Sequence, residues 1–435
     1  MSARKVTMLI NFKLAFDNDK NIFLTEIAEK VSQSIVCEFG EGKSFSSLYL
    51  SGSLSRGEGS VIKINGRFLM LSDFDFLLVA DSLQSARNIY KRIPHFLKEL
   101  NAQYRHYGLL SAIDCGVATR DSLFSLEPTL LWYEFINSGK CVAGQDESLA
   151  DCFTWDVKQI SKLEALILIQ NRVLEQLIYL PRNFKDEGLD EDRFLKVLYL
   201  CARSFCDIAK SYLLHRGVYD DSAQGRLQQL KSLSDPALPP ELIEHIEFWT
   251  GFKINPRIEA VLNRFGRARD NEAQVLQGIA KQLYSALTAF WKIEAEELFK
   301  MSFTTLGKEL WAIKTAGSCI CTKEWLRYGK RELHNKRILP LHKMPYYILR
   351  GQTPLWVSHL SGMILYDAFF KFRNNGGKKS PEVSDQMLSV ARHLPYAFLK
   401  VSAKNGFLND WNNLRIKTLT IWNIIALGGR QEIPF

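Results

Sequence analysis

The pattern of apolar and polar positions changes near residue 150. Before that point, apolar runs of strand length alternate with segments of helical spacing, and from Trp155 onward the helical spacing prevails. This pattern predicts an α+β protein, with a mixed β-sheet and flanking helices at the N-terminus followed by largely α-helical domains. Strands are predicted at residues 48–50, 72–79, 109–117 and 141–145, the last at a sheet edge, and helices at 24–39, 81–100, 129–140, 157–180, 190–216, 241–250 and 257–300.

Breaks in this pattern suggest domain boundaries. The predicted edge strand ends near residue 145, and the Pro-rich segment SDPALPP at 234–240 interrupts the helical region. We therefore predict a sheet domain at 1–150, a helical domain at 151–300 and a basic, aromatic-rich helical domain at 301–435. Within the first domain, Thr25 is predicted to cap or open the first helix, and Pro94 to bend or divide the second.

A hairpin is predicted between the first two strands. Residues 59–71 contain Asn65-Gly66 flanked by apolar residues, which is a strong signal for a two-residue hairpin turn. This hairpin would lie beside the strand that begins at Ser72.

The sequence excludes several classes of protein. No stretch approaches the ~20 apolar residues of a membrane-spanning helix. The apolar run at the start is interrupted by Asn11, Lys13 and Asp17, whereas a signal peptide has an uninterrupted apolar run. The eight cysteines follow neither a disulfide nor a zinc-ligand pattern. The segment GEGKS at 40–44 is not a P-loop, because the first glycine would fall at Cys37. We expect a cytoplasmic protein with reduced cysteines and no membrane span.

Positive charge is concentrated in the last third. Residues 301–435 hold 20 Lys and Arg against 8 Asp and Glu, while the whole chain carries a net charge of +9. Aromatic residues are interleaved with these cations, as in KEWLRYGKRELHNKR at 323–337 and FFKFRNNGGKK at 369–379. The pattern suits RNA or another polyanion as a partner, bound through base stacking and phosphate contacts. It equally suits a helical core with a solvated basic surface.

Three acidic residues lie on predicted strands. Asp73 and Asp75 share one face of an extended strand, while Phe74 and Phe76 face the core. Their backbones would lie roughly 7 Å apart, which suits carboxylates that hold two divalent cations. Asp114 lies in the middle of another apolar strand, where a lone carboxylate needs a partner or a metal.

A turn rich in glycine and serine precedes these acids. Gly52 and Ser53 break the first strand, and Arg56 and Glu58 follow within about one helical turn. Such a turn can open a short helix whose backbone N–H groups face phosphate oxygens.

These motifs together carry a resemblance to a known superfamily. The order GS-x-x-RGE, then SD-x-D on a strand, then one later acid resembles the DNA polymerase beta-like nucleotidyltransferases, and most of all the aminoglycoside nucleotidyltransferases and small bacterial nucleotidyltransferases. The match covers roughly the first third of the chain. The segment that holds the predicted hairpin is longer here than in the short members, which could affect the choice of acceptor.

The resemblance implies an activity and a set of site residues. The activity is transfer of a nucleoside monophosphate from an NTP to an acceptor, here a hydroxyl of an unidentified small molecule, RNA or protein. Asp114 would either ligate the metal or act as base, and Glu58 would be either a second base or the partner of Arg56. The implied ligands of Mg²⁺ or Mn²⁺ are Asp73, Asp75 and Asp114, and the implied nucleotide-binding residues are Gly52, Ser53, Arg56 and Glu58.

In the aminoglycoside-modifying relatives a helical domain lines the acceptor cleft. Arg203, Tyr212 and Arg226 lie in the corresponding part of this chain. They either face such a cleft or belong to an ordinary helix surface, which is the interpretation we favour.

Two other functions share parts of the pattern. Cyclic-oligonucleotide synthases of antiphage systems have the same turn and the Asp-x-Asp pair, but usually show Gly-Thr where Gly57-Glu58 stands here.

Arg327 and His334, followed by Asn335, loosely resemble the pair found in HEPN ribonucleases, which would indicate an RNA-binding toxin component. Gly329 inside the same predicted helix makes a solvated basic helix the better interpretation.

Overall fold

The structure is a computed structural model that describes residues 17–40, 44–145, 155–183, 190–233, 235–236, 238–266, 272–303, 306, 308–315, 318–334, 344–394 and 406–426. The chain forms two compact units, Met1–Glu164 with Gly188–Glu272, and Ala165–Glu187 with Ala273–Phe435. Both units are discontinuous in sequence. The division into domains at residues 150 and 300 stays a prediction, because compactness does not show which segments fold independently.

Sixteen helices and six strands are described, apart from two short 3₁₀ turns. They are, in chain order, α1 (Asn18–Phe39), β1 (Phe45–Ser51), α2 (Gly52–Ser55), β2 (Val61–Ile64), β3 (Arg67–Met70), β4 (Phe74–Ala80), α3 (Leu83–Arg105), β5 (Ile113–Thr119), α4 (Arg120–Phe124), α5 (Leu130–Ser138), β6 (Lys140–Gly144), α6 (Lys162–Asn183), α7 (Glu191–His215), α8 (Ala223–Ser232), α9 (Pro240–Ile254), α10 (Ile258–Phe265), α11 (Glu272–Phe299), α12 (Ser318–His334), α13 (Met344–Leu349), α14 (Pro354–Asn374), α15 (Pro381–His393) and α16 (Phe407–Ala426).

A mixed four-stranded sheet organises the first unit, and the protein is α+β as predicted. The strand order is β5-β4-β1-β6, in which β4 pairs antiparallel with β1 and parallel with β5. Strand β6 pairs with β1 at the edge, as predicted. Because side chains alternate along a strand, each of the two faces of β4 belongs to a different core.

Helices cover both faces of this sheet. Phe74 and Phe76 pack with apolar side chains of α1 and α3, which confirms that they face the core. On the opposite face, Leu77 and Val79 pack with Phe135 of α5. The face that carries Leu77 and Val79 is also the face of Asp75, so the acid lies on the side of the sheet that α5 partly covers.

The predicted hairpin is confirmed. Strands β2 and β3 pair antiparallel, and Asn65 and Gly66 connect them with positive φ angles of 49° and 78°. This is the conformation that a type I′ turn requires, and it explains the Asn-Gly pair. The inner face of the hairpin packs against Leu195 and Tyr199 of α7.

Several predicted helix boundaries were wrong. Helix α1 begins at Asn18, and its N-cap is Asp17 rather than Thr25, because the Asp17 carboxylate accepts backbone N–H groups of the first turn. The Thr25 hydroxyl instead donates to a backbone carbonyl within the helix. Pro94 lies inside α3, which continues through it undivided. The predicted helix at 257–300 is two helices, α10 and α11.

Helix α14 lies at the centre of the second unit. It packs against α15 and α16, and its residues from Trp356 to Phe370 are buried on all sides. The buried Asp367 carboxylate accepts hydrogen bonds from Tyr284 (2.6 Å) and Gln386 (2.6 Å). No helix of the described chain combines the length and the apolar character needed to cross a membrane.

Candidate active site

The structure places the three predicted acids at one end of the sheet. Asp75 of β4 and Asp114 of β5 are register partners in parallel strands, so both side chains lie on the same face. Asp73 immediately precedes β4. Register also pairs Asp75 with Ser51 of β1, the residue before the turn at Gly52. We call this group of acids and the adjoining turn the acidic edge.

The turn at Gly52 lies directly against Asp75. Gly52 has a φ angle of +73°, which side chains rarely tolerate. A Cβ atom placed on Gly52 would lie 2.6 Å from Oδ2 of Asp75. The position therefore requires glycine for two reasons, its backbone conformation and the close approach of the carboxylate.

Asp75 is the electrostatically unusual residue of the acidic edge. Its side chain reaches solvent, yet its carboxylate forms no hydrogen bond or ion pair within the described part of the chain. The surrounding protein removes part of its hydration, and this burial, with further contributions from the charges of Asp73, Asp114 and Glu134, raises the pKa of Asp75 to about 7, against the opposing effect of Arg203. An acid held in this way favours a proton or a metal cation.

Asp73 has an ion-pair partner, Arg203. Its Oδ2 accepts a hydrogen bond from the Arg203 guanidinium of α7 at 3.0 Å, and its Oδ1 accepts the Ala112 backbone N–H at 3.1 Å. Asp114 accepts the N–H of its neighbour Cys115 at 2.8 Å. Both Asp73 oxygens thus have donors.

The carboxylates of the acidic edge match the ligands that Mg²⁺ prefers. In the described residues, however, no group of three or more His, Cys, Asp or Glu side chains is arranged to hold a metal ion. The carboxylates thus suit a divalent cation in their chemistry but are not arranged as a metal site in the described residues, and one of them, Asp73, is bonded to the Arg203 guanidinium.

The predicted nucleotide-binding residues divide into two pairs. Gly52 and Ser53 belong to the turn, and the half-buried Ser53 accepts the Glu58 N–H through its carbonyl at 2.8 Å. Arg56 and Glu58 form an ion pair at 3.4 Å, and Glu58 also accepts the Ala223 N–H at 2.6 Å, at the start of α8. The Glu58 carboxylate is buried and both of these donors hold it in place. Of the two predicted roles for Glu58, this arrangement supports the partner of Arg56 rather than the second base.

Sequence reasoning missed a largely buried ionic network beside these residues, in which the side chains of Glu134 and Lys210 are each 13 % exposed. Glu134 of α5 lies 2.6 Å from the Lys210 ammonium of α7 and accepts a hydrogen bond from the Tyr219 hydroxyl. Burial alone would raise the pKa of Glu134, but Lys210, Arg56 and Arg226 overcome this effect and lower it to about 2. The network joins the sheet side of the unit to α7 and α8.

The signal for this network was present in the sequence. Glu134 stands alone among apolar residues in LLWYEFIN, just as Asp114 does on its strand. In both places a lone acid in an apolar run needs a partner to offset the loss of its hydration. Its partners could not be named, because they lie far away in sequence on α7 and α8.

The favoured interpretation of three helical residues was wrong for two of them. Tyr212 and Arg226 are buried rather than part of a helix surface. Tyr212 donates to Asp235, and the Arg226 guanidinium donates to the carbonyls of Asp220 and Asp221, both at 2.8 Å. Arg203 is about one-third exposed, at 32 %, and faces Asp73.

Helix α7 presents a row of cations to the sheet side. Lys196, Arg203 and Lys210 are spaced seven residues apart, so they share one face of the helix. Burial lowers the pKa of Lys196, while nearby Asp73 opposes this effect. Two of these three residues, Lys196 and Lys210, were not predicted.

Most of the described aromatic residues of the last third are core residues, although Phe372 is only half-buried. Trp325, Tyr328, Tyr347 and Trp356 are each at most 3 % exposed, so they offer no stacking surface. The exposed Arg327 pairs with Glu324 at 3.3 Å on α12, which passes through Gly329. These four aromatic residues therefore fit the interpretation as a helical core with a solvated basic surface. A polyanion partner of the last third stays a prediction. The side chain of His334, the second member of the ribonuclease-like pair, and the whole of Asn335, which follows the pair, lie outside what the structure describes.

No protein-family model matches this chain, and no curated protein sequence matches it.

Proposed function

We propose that the protein is a metal-dependent nucleotidyltransferase that moves a nucleoside monophosphate from an NTP to a hydroxyl acceptor. One observation carries the proposal. Asp75, an acid with a raised pKa and no bonded partner in the described chain, lies in register with Asp114 and directly against the glycine turn at Gly52. The resemblance of the turn and the Asp-x-Asp pair to the superfamily adds to this support.

The reaction would proceed by direct displacement. The acceptor oxygen would form a bond to the α-phosphorus, the bond from that phosphorus to the bridging oxygen would break, and pyrophosphate would leave. Asp114 would take the acceptor proton or, alternatively, contribute to metal binding, in which case solvent water would take the proton. Asp73 and Asp75 would hold the divalent ion, which when bound would supply neutralisation of the triphosphate charge.

Arg203 would change partners during substrate binding. It now neutralises Asp73 at 3.0 Å and, once that carboxylate held a cation, its guanidinium would be available to a phosphate oxygen. Ser53 and the turn at Gly52 would contact the phosphates, as the resemblance implies. The hairpin, which packs on α7 next to Tyr199, would border the acceptor side.

Label transfer tests the proposal. Purified protein is incubated with each α-³²P-labelled NTP, Mg²⁺ or Mn²⁺, and fractions of cell lysate as the source of acceptor. We expect label in one fraction with the wild-type chain, and at least about a hundredfold less with the Asp73→Ala, Asp75→Ala double variant. The matched control is Asp81→Asn, an exposed acid just beyond the far end of β4, which should transfer label normally.

The same experiment separates the alternative functions. Consumption of NTP without any lysate fraction would indicate a synthase, whereas transfer that survives the double variant would remove the acidic edge from the mechanism. Label in RNA would identify RNA as the acceptor, and label in small metabolites would favour a small-molecule acceptor.

A further inference from the structure

A separate cavity lies in the first unit, where the hairpin, the start of α1 and the junction of α9 with α10 meet. Its volume is about 290 Å³. Four apolar residues, Ile62, Ile64, Pro256 and Ile258, belong to its mixed lining, and we call them the floor of the cavity. None of the residues of the acidic edge lines it. This volume is at the small end of the range for ligand sites, so it suits a small molecule.

Three cations surround this floor, namely Lys20, Lys63 and Arg257. Within the described chain the Lys20 ammonium donates one hydrogen bond, to Asn255 Oδ1 at 3.1 Å, so two of its three N–H groups have no acceptor there. The Lys63 ammonium lies over the Phe68 ring, 4.9 Å from its centroid. Within the described chain, neither Lys63 nor Arg257 has an ion-pair partner. Within the described chain, the cavity therefore has cationic side chains that are free to pair with an anion.

Two of the cations are close enough to destabilise each other. Burial lowers the pKa of Lys20, and the nearby guanidinium of Arg257 lowers it further, although Asp17 opposes both effects. An anion bound between Lys20 and Arg257 would relieve this repulsion and stabilise both charges.

The first turn of α10 borders the same cavity. Arg257 is its N-cap residue, and its side chain makes no capping hydrogen bond to the helix. The start of a helix favours anions, since its backbone N–H groups lack partners and its dipole is positive there. Of the two acids at the cavity, Asp17 already serves as the N-cap of α1, and Glu259 is exposed.

We propose that this cavity binds a small phosphorylated molecule. Its phosphate would lie between Lys20, Lys63 and Arg257 at the start of α10, and its apolar part would rest on the isoleucine and proline floor. A nucleic-acid backbone fits less well, because Asp17 and Glu259 interrupt the positive rim. The proposal is independent of the nucleotidyl transfer proposed above, as the two sites share no residue.

Titration calorimetry with three probes tests the proposal on the full-length protein in buffer with EDTA. Phenyl phosphate combines a phosphate with an apolar ring, inorganic phosphate lacks the ring, and phenol lacks the charge. We expect phenyl phosphate to bind most tightly, inorganic phosphate more weakly and phenol without measurable heat. Failure of both phosphate probes to bind, or equal binding of phenol and phenyl phosphate, would overturn the proposal.

Matched variants locate the binding. Lys63→Gln with Arg257→Gln removes two exposed cations from the rim, and we expect about 10- to 100-fold weaker binding of phenyl phosphate. Arg87→Gln with Lys91→Gln removes two exposed cations of α3 and should bind as the wild type does. Equal affinities for both double variants would contradict the assignment.

Backbone amide NMR distinguishes this cavity from the acidic edge. On addition of phenyl phosphate, the Ile258 and Glu259 amide signals should shift, both in the wild type and in the Asp73→Ala, Asp75→Ala variant. Shifts confined to Gly52 and Ser53 would place the phosphate at the acidic edge instead and would refute the cavity site.

Discussion

At the scale of single residues, Asp75 makes folding depend on pH. Its pKa is about 7 in the folded chain and 3.8 as the ordinary value. The group therefore contributes stability that is fully present below pH 3.8 and is lost as the pH rises through 7. Above that pH the carboxylate is charged beside other acids with no bonded partner in the described chain.

We predict that Asp75→Asn stabilises the metal-free protein above pH 7. The expected gain is about 1 kcal/mol at pH 8.5, since solvent screens much of the repulsion at an exposed carboxylate. The gain should shrink toward zero near pH 4. Thermal melts across this pH range in EDTA measure it, with Asp81→Asn as the control. A gain that does not vary with pH would show that Asp75 titrates normally.

The ion pair of Glu134 and Lys210 should contribute far more to stability than an exposed pair of the same length. Lys210→Met leaves a buried carboxylate with weaker partners, and we expect a loss of about 3 kcal/mol in the free energy of unfolding at pH 7. The exposed Lys231 also lies 2.6 Å from its partner Glu247, and Lys231→Met should cost less than about 1 kcal/mol. Denaturant unfolding compares the two variants, and equal losses would contradict the buried network.

The contribution of this pair should also depend on pH. The pKa of Glu134 is lowered from 4.5 to about 2, so its stabilising effect is present above pH 4.5 and is lost as the pH falls toward 2. The difference between the wild type and Lys210→Met should decrease over that interval.

At the scale of elements, the turn that opens α2 and the turn of the hairpin allow a direct comparison. Gly52 and Gly66 both have positive φ, of +73° and +78°. A Cβ on Gly66 meets nothing within 4 Å, whereas one on Gly52 meets Asp75 at 2.6 Å. The two positions thus separate backbone strain from steric conflict.

We predict that Gly66→Ala costs about 1 kcal/mol of stability through backbone strain alone and leaves activity intact. Gly52→Ala should cost at least about 2 kcal/mol and displace the Asp75 carboxylate. Label transfer should then fall about a hundredfold, since displacement of a catalytic group by about 1 Å has an effect of that size. Equal activities of the two variants would mean that Asp75 does not act from its observed position.

Local signals in the sequence predicted the elements that depend on local chemistry. Asn65-Gly66 predicted the hairpin, and the alternation of Asp73, Phe74 and Asp75 predicted which side chains face the core. The register that brings Asp114 beside Asp75 also depends on the direction and the offset of the two strands, which the local pattern did not give. Periodicity could not predict that Arg203 would pair with Asp73, because 130 residues separate them.

At the scale of the whole molecule, the first unit is built from two separate segments of the chain. The hairpin packs on Leu195 and Tyr199, and Glu134 pairs with Lys210. These three partners of the N-terminal segment follow residue 188. A chain that ends at residue 150 would expose an apolar surface and leave a buried acid without its main partner.

We predict that residues 1–150 alone show no cooperative thermal transition, whereas residues 1–272, which contain every segment of the first unit, do. Circular dichroism melts of the two truncated chains, with amide exchange at β4, measure the difference. A cooperative transition in the shorter chain would support the boundary at residue 150 that the sequence predicts.

The order of segments along the chain also has a consequence during translation. Helix α6 has six fully buried apolar side chains among its described residues, Ala165, Leu166, Ile169, Val173, Leu174 and Leu177. The other segment of its unit begins at Ala273, so residues 188–272 leave the ribosome first. At a translation rate of roughly 5–20 residues per second, α6 is exposed for several seconds before the segment that it packs against is synthesised. During that interval its apolar stripe is a natural binding site for a chaperone.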